Sequence, residues 1–152
     1  MIPETHLEAF RIVFAAAEEP GIDWAVTGSL GFALQGMPVS VHDIDLQTDE
    51  KGAYRLGARL AGYVVTPVGW RESAIARSFF GKFLVAGIEV EIIGGMQKRL
   101  PDGSWDLPVD IRDHRRFVDV EGLRVPVLDL AYEASAYYLL GRHEKAALID
   151  QF

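Results

Sequence analysis

The chain has 152 residues and a mass of 16.8 kDa, a length typical of one domain around one hydrophobic core. Hydrophobic residues make up 49% and charged residues 24%, which excludes intrinsic disorder, and the absence of cysteine excludes zinc–thiolate sites, iron–sulfur clusters and thiol catalysis. The net charge of −7 disfavours long nucleic acid as a partner. Because no apolar run reaches the ~20 residues of a membrane span, we expect a cytoplasmic protein without membrane contact.

Patterns in the first half of the chain predict helices that alternate with strands. Thr5 and Glu8 have the spacing of a capping box, and apolar residues then recur at helical intervals to about residue 19. Runs of apolar and alternating residues predict strands over residues 22–27 and 42–48, with a short helix over residues 30–35 between them. Asp49 is then predicted to cap a helix that ends near residue 60.

The second half is dominated by turn signals of hairpins. A strand is predicted over residues 63–67, and residues 70–77 carry no decisive pattern. Hairpins are predicted around Gly87 and around Glu121-Gly122, with a loop between them and with helices over residues 129–140 and 142–152 at the end. Together these elements predict a single α+β domain over residues 1–152, a mixed β-sheet with flanking helices.

Acidic residues recur on two predicted strands at a spacing that places them on one face. Asp43 and Asp45 are two residues apart, and so are Glu89 and Glu91, so each pair shares one side of its strand at about 6.6 Å separation. The simpler interpretation is the solvent face of an antiparallel sheet. If both acidic faces lie on the same side of the sheet, the carboxylates form a cluster whose repulsion Mg²⁺ or Mn²⁺ would relieve.

Gly28 and Ser29 stand between the first predicted strand and the short helix. A Gly-Ser pair at such a turn exposes backbone N–H groups and a hydroxyl at a helix N-terminus, where the local dipole favours phosphate oxygens. Taken alone, the pair is an ordinary turn with a serine cap. A phosphate-binding turn followed by paired carboxylates and then a third carboxylate is much less often produced by chance than the Gly-Ser pair alone.

The same residues carry a resemblance to a known family. The segments 26–30, 43–45 and 90–92 resemble the nucleotidyltransferase superfamily that includes DNA polymerase beta, and in particular its small bacterial and archaeal members of minimal, lincosamide-modifying and abortive-infection type. The resemblance covers most of the chain and continues from residues 125–130 to Gly141-Arg142. It implies a nucleotidyltransferase-like fold that transfers a nucleoside monophosphate from a nucleoside triphosphate to a hydroxyl or phosphate, with two Mg²⁺ or Mn²⁺ ions.

By position, the resemblance assigns triphosphate binding to Gly28 and Ser29, and metal binding and catalysis to Asp43, Asp45 and Glu91. The third acid of the family is usually Asp, and Glu91 has one methylene more. Because Glu89 shares its strand face, the sequence leaves open which of the two is the third carboxylate.

Cationic side chains are also needed beside a triphosphate. Arg142 and Lys145 rank highest, because they fall at the start of the last helix, directly after the segment that resembles the family. The complete set of candidates is Arg77, Lys82, Lys98, Arg99, Arg142 and Lys145.

Three functions compete. The leading hypothesis is a metal-dependent nucleotidyltransferase acting on a small molecule or a protein side chain. A non-catalytic nucleotide- or protein-binding member of a toxin–antitoxin or defence pair would keep the fold without transfer. A nucleotide-sugar glycosyltransferase would use Asp43 and Asp45 as its metal motif but leaves Gly28-Ser29 unexplained. At this length, the acceptor pocket must be small, open or completed by another subunit of a homo-oligomer.

Overall fold

Residues 2–152 are described by a computed structural model, and within them the chain forms five α-helices and seven β-strands. The helices are α1 (Glu4–Ala17), α2 (Gly28–Leu34), α3 (Glu50–Arg59), α4 (Leu130–Leu139) and α5 (His143–Asp150). The strands are β1 (Trp24–Thr27), β2 (Ile44–Thr48), β3 (Val64–Glu72), β4 (Ala76–Val85), β5 (Ile88–Lys98), β6 (Arg115–Val120) and β7 (Leu123–Leu128). The predicted α+β class with a mixed sheet is confirmed.

All seven strands belong to one sheet in the order β3-β4-β5-β2-β1-β7-β6. Strand β2 is antiparallel to β1 and parallel to β5, and β1 is parallel to β7. The two acid-bearing strands are therefore neighbours at the centre of the sheet. Across residues 2–152, the helices are too short or too polar to cross a membrane.

The core lies between one face of the sheet and helices α1 and α3. Ile44 and Leu46 of β2 and Val90 and Ile92 of β5 are fully buried there. Since side chains alternate along a strand, the acids between these residues point to the opposite face. Helix α4 covers part of that opposite face.

The predicted caps of α3 and α4 are confirmed. The Asp49 carboxylate accepts a hydrogen bond of 2.6 Å from the backbone N–H of Gly52, and the Asp129 carboxylate accepts one of 2.8 Å from Tyr132. The capping box predicted at Thr5 is wrong. Helix α1 begins two residues earlier, with Pro3 instead of Thr5 as its N-cap residue, so Thr5 lies inside the first turn.

The two predicted hairpins are confirmed, and a third occupies the segment without a decisive pattern. Strands β3 and β4 pair from Val64 with Phe83 to Glu72 with Arg77, so β3 is longer than the predicted strand. The Ser73 hydroxyl accepts from the backbone N–H of Ala76 and closes the turn. Because β3 is an edge strand exposed along most of its length, it lacks the alternation that marks a half-buried strand.

We predict that Gly94→Ala destabilises the protein. A Cβ atom at Gly94 would lie 2.6 Å from the Cβ of Ala53 and 2.7 Å from the carbonyl oxygen of Asp49, so α3 must move off the sheet. We expect a loss of about 1–3 kcal/mol in the free energy of unfolding, measured in urea. Gly69→Ala in β3 is the matched control, because a Cβ there meets nothing within 4 Å. Equal losses in both variants would contradict this account of the helix–sheet contact.

Candidate active site

The acids meet because β2 and β5 are parallel neighbours. Asp45 lies on β2, whereas Asp43 directly precedes the strand, which begins at Ile44 rather than at the predicted residue 42. In the register of the pair, Asp45 lies opposite Glu91. Carboxylate oxygens of Asp43, Glu89 and Glu91 lie within 4.8 Å of one another, and all three side chains are half-buried. The structure thus brings Asp43 and Glu91 together in one cluster with Glu89. Asp45 is not a member of that cluster and adjoins it through its register with Glu91.

Burial and the repulsion of neighbouring acids raise the pKa values of Asp43, Asp45 and Glu91. The pKa of Asp45 rises to about 7, first because the group is buried and then because Glu91 and Asp43 are near. Burial is also the main cause that raises the pKa of Asp43 and of Glu91, and Glu89 adds to both. Lys82 offsets part of this repulsion, since its Nζ lies 3.4 Å from Glu89 Oε1. A divalent cation would offset far more of it.

Gly28 is the first residue of α2, so the predicted Gly-Ser turn is already helical and the helix begins two residues earlier than expected. Its φ is +67°, and a Cβ there would collide with the Asp45 carboxylate, whose Cγ would be only 3.3 Å away. Close approach of the helix start to Asp45 therefore requires glycine at this position.

Glu133 is a site residue that the sequence analysis missed. Glu133 is 3% exposed, and both of its carboxylate oxygens lie 2.8 Å from Thr27 Oγ1, whose single hydroxyl proton they share. The backbone N–H of Gly28 lies 3.4 Å from Glu133 Oε2. Burial raises the pKa of Glu133 to about 7, although the bonds from Thr27 and Gly28 oppose this. Glu133 therefore ties α4 to the start of α2.

A signal for Glu133 was present in the sequence. Leu130 and Tyr137 stand three residues before and four residues after it, so this acid lies on the apolar, sheet-facing side of a predicted helix. An acid on such a face is costly unless it is hydrogen-bonded, which marks it as a candidate site residue.

Ser29 does not stand free at the helix start. Its Oγ accepts a 3.0 Å hydrogen bond from the backbone N–H of His42, the residue before Asp43. The hydroxyl thereby links α2 to the segment that enters β2. Because Ser29 Oγ is the acceptor in this bond, the hydroxyl proton of Ser29 can still be donated to another group.

The two highest-ranked cations stand at the start of α5. Arg142 is its N-cap residue, and the guanidinium carbon lies 5.2 Å from the Tyr137 ring centroid. The Nζ of half-buried Lys145 lies 5.0 Å from the same centroid. Burial and then Arg142 lower the pKa of Lys145, while Asp45 and Glu133 act in the opposite direction. Lys145 is thus electrostatically coupled to the acidic site.

The other candidate cations have different surroundings. Lys82 stands among the acids, as described above. Lys98 is 4% exposed and forms an ion pair of 3.1 Å with Asp106. Arg77 and Arg99 each place the guanidinium carbon 4.3 Å from the centroid of the Trp105 ring. These last three residues hold the β4–β5 region and its following loop together.

A cavity of about 200 Å³ lies between α4 and the sheet face that carries Asp45. Thr27, Gly28, Asp45 and Glu133 line it, so the cavity adjoins the acidic site. Its remaining wall is largely apolar and aromatic and includes Ile93, Met96, Tyr132 and Tyr137. The arrangement can hold a ligand that is charged at the acidic end and flat or apolar beyond it.

Solved structures share this fold and define the class of protein. The crystal structure of TM1012 from Thermotoga maritima, whose own assignment as a nucleotidyltransferase is provisional, gives a TM-score of 0.90 at 44% identity, covering 99% of this chain and 94% of that one. The antibiotic-resistance factor ANT(2'')-Ia gives 0.62 at 15% identity, covering 95% and 82%. The lincosamide antibiotic adenylyltransferase LnuA gives 0.55 at 14% identity, covering 95% and 98%. At these low identities the last two show the fold alone.

Residues 9–150 match the model of the aminoglycoside-2''-adenylyltransferase family. Since the match spans nearly all of the chain, the protein belongs to that family. Among curated proteins no significant match is found. The motif-based recognition of a small nucleotidyltransferase is confirmed, and the chain is an enzyme of that class.

We predict that the metal-free protein loses stability as the pH rises from about 5 to about 8. The folded-state pKa of both Asp45 and Glu133 is about 7, above the ordinary value of a carboxyl group, so the folded state binds more protons than the unfolded state in this window. Stability from these groups is therefore highest at the acid end and falls towards pH 8.

The melting temperature in a chelating buffer measures this effect. Asp45→Asn should show a shallower decline than the wild type and an equal or higher melting temperature near pH 8, because one repelling charge is gone. Mg²⁺ should raise the wild-type melting temperature most at the alkaline end. A large drop in Asp45→Asn at every pH would mean that the carboxylate is needed for the fold itself.

Proposed function

We propose that the protein transfers a nucleoside monophosphate, adenylate in the first place, from a nucleoside triphosphate to a hydroxyl or phosphate of a small molecule or a protein side chain. The observation that carries the proposal is a carboxylate cluster that contains Asp43 and Glu91. Asp45 lies opposite Glu91 in the sheet and against the helix start at Gly28. The name of the family supports adenylate as the transferred group. It also makes a hydroxyl of an aminoglycoside-type antibiotic the first acceptor to test.

The acids fit divalent cations. Hard oxygen donors without sulfur suit Mg²⁺ or Mn²⁺, and the crowded carboxyl oxygens repel one another without such a charge. We assign Asp43, Asp45 and Glu91 as ligands of two ions, with Glu89 as the alternative third carboxylate. Bound there, the ions would polarise the attacking oxygen and neutralise charge on the departing pyrophosphate.

The remaining predicted residues would hold the donor. The first backbone N–H groups of α2 have no partners within the helix, and the helix begins at Gly28 against Asp45. The Ser29 hydroxyl lies in the same first turn. We assign the triphosphate to this helix start, with Arg142 and Lys145 supplying positive charge. Lys145 fits this role because it is half-buried and coupled electrostatically to Asp45.

Glu91 would act on the acceptor. In the transfer, the acceptor oxygen forms a bond to the α-phosphorus, the bond from that phosphorus to the pyrophosphate oxygen breaks, and the hydroxyl proton passes to a carboxylate. Burial raises the pKa of Glu91 towards the working range of a general base, and its register position opposite Asp45 sets it beside the reacting phosphate.

The direct test is incubation with Mg²⁺ and each common nucleoside triphosphate, together with aminoglycosides, lincosamides, a metabolite mixture and the protein itself. Mass spectrometry for an added nucleoside monophosphate and an assay for released pyrophosphate give the result. Transfer to any acceptor supports the proposal. Triphosphate binding without transfer to any acceptor favours the non-catalytic alternative, and the absence of both contradicts the proposal.

We predict that Asp45→Asn weakens Mg²⁺-dependent triphosphate binding by at least about tenfold, because it removes a charge from a metal ligand. Calorimetry with and without Mg²⁺ measures the effect. Asp119→Asn, an identical change on exposed β6, is the control and should bind like the wild type. Unchanged affinity in a folded Asp45→Asn protein would defeat the assignment.

We predict that Glu91→Gln separates transfer from binding. Because a general base is needed most in the transition state, triphosphate affinity should stay within a few fold while the transfer rate falls at least ~10²-fold, or about 2.7 kcal/mol of barrier. Glu89→Gln is the internal control from the same strand face. If Glu89→Gln abolishes transfer and Glu91→Gln does not, Glu89 is the third carboxylate and our assignment of Glu91 is wrong.

A further inference from the structure

Gln47 is a buried amide in the wall of the cavity beneath α4. The side chain is 6% exposed, and its Oε1 is buried without a hydrogen-bond partner among residues 2–152. In the sheet it stands between Ala25 of β1 and Ile93 of β5, so its lateral neighbours are apolar. A buried acceptor without a donor costs free energy that an apolar side chain of similar shape would avoid.

Two other side-chain atoms in the described chain, Gln35 Oε1 and Arg99 Nε, are also buried without a hydrogen-bond partner. Gln35 still donates from Nε2 to the carbonyl oxygens of Gly31 and Leu128, and Arg99 still donates to Gly103. Neither lines the cavity beside the acidic site. Within residues 2–152, Gln47 is therefore the one residue with an unpartnered buried acceptor that also lines the cavity beside the acidic site.

The position of Gln47 relative to the acids indicates which part of a nucleotide it meets. It is two residues beyond Asp45 on the same strand face, or about 6.6 Å along the strand. If the phosphates bind at Asp45 and Gly28, this step leaves room for a ribose before Gln47. The cavity of about 200 Å³ is smaller than a pocket for a whole drug-sized ligand, and Tyr137 and Met96 give it flat, apolar walls.

We propose that this cavity receives the base of the donor nucleotide and that Gln47 selects a base with an exocyclic amino group. The inference rests on the proposed function. The Oε1 of Gln47 accepts an N–H from such a group, the 6-amino group of adenine being the reference case. A 6-oxo base sets one acceptor against another at the same place, which leaves both unsatisfied.

The test compares the affinities of ATP, inosine triphosphate and purine riboside triphosphate in the presence of Mg²⁺ by calorimetry. The wild type should bind ATP at least about fivefold more tightly than either analogue, the loss expected for one unsatisfied buried hydrogen bond. Gln47→Met keeps a similar side-chain volume but removes the amide oxygen. In this variant the affinity for ATP should be within about twofold of the affinity for each analogue. A purely structural role for Gln47 would weaken all three ligands together and leave the ratios unchanged.

Gln97→Met is the matched control, because Gln97 is on the same sheet but does not line the cavity. Its affinity ratios between ATP and the two analogues should equal those of the wild type. Equal wild-type affinity for the three ligands overturns the base assignment and leaves the proposed function intact. The wild-type comparison tests the base assignment even if Gln47→Met does not fold. Absence of Mg²⁺-dependent binding of every triphosphate overturns both proposals.

Discussion

The parallel pairing of β2 with β5 is the contact on which the site depends. It sets Asp45 opposite Glu91, and it brings Asp43 and Glu89 into the same group of carboxylates. A slip of one residue would turn these acids into the core, so the register must be held firmly. Ile44 and its apolar counterparts hold it, because they are fully buried on the other face of the same two strands. The core and the acidic site therefore lie on opposite faces of the same strand pair.

The helices complete the site at an electrostatic cost. Helix α2 can begin against Asp45 only because residue 28 is glycine, and α4 adds the buried carboxyl group of Glu133 a few ångströms away. Both carboxyl groups have a pKa near 7 through burial, so folding concentrates negative charge that water would otherwise solvate. Lys145 on α5 compensates part of it. This excess of negative charge is the physical reason for expecting cations and, through them, a triphosphate.

Local patterns predicted the fold class and the caps at Asp49 and Asp129, because these depend on alternation and on capping chemistry close in sequence. They failed for edge strand β3, whose exposed faces lack alternation. The motifs predicted acids on β2 and β5, and the parallel pairing of these strands sets Asp45 opposite Glu91. They missed Glu133, since its contact with Thr27 joins residues 106 positions apart. They also could not separate Glu89 from Glu91, because both lie on one face and both enter the cluster.

We propose that Asp43, Asp45 and the acids of β5 hold the two cations of a nucleotidyl transfer. Crystals of the protein grown with Mn²⁺ and a non-hydrolysable analogue of ATP test it most directly, because anomalous scattering locates manganese without reference to activity. We expect two anomalous peaks at Asp43, Asp45 and either Glu91 or Glu89, with the phosphates of the analogue against the start of α2. A bound analogue with no manganese at these acids, or with manganese elsewhere, would contradict it.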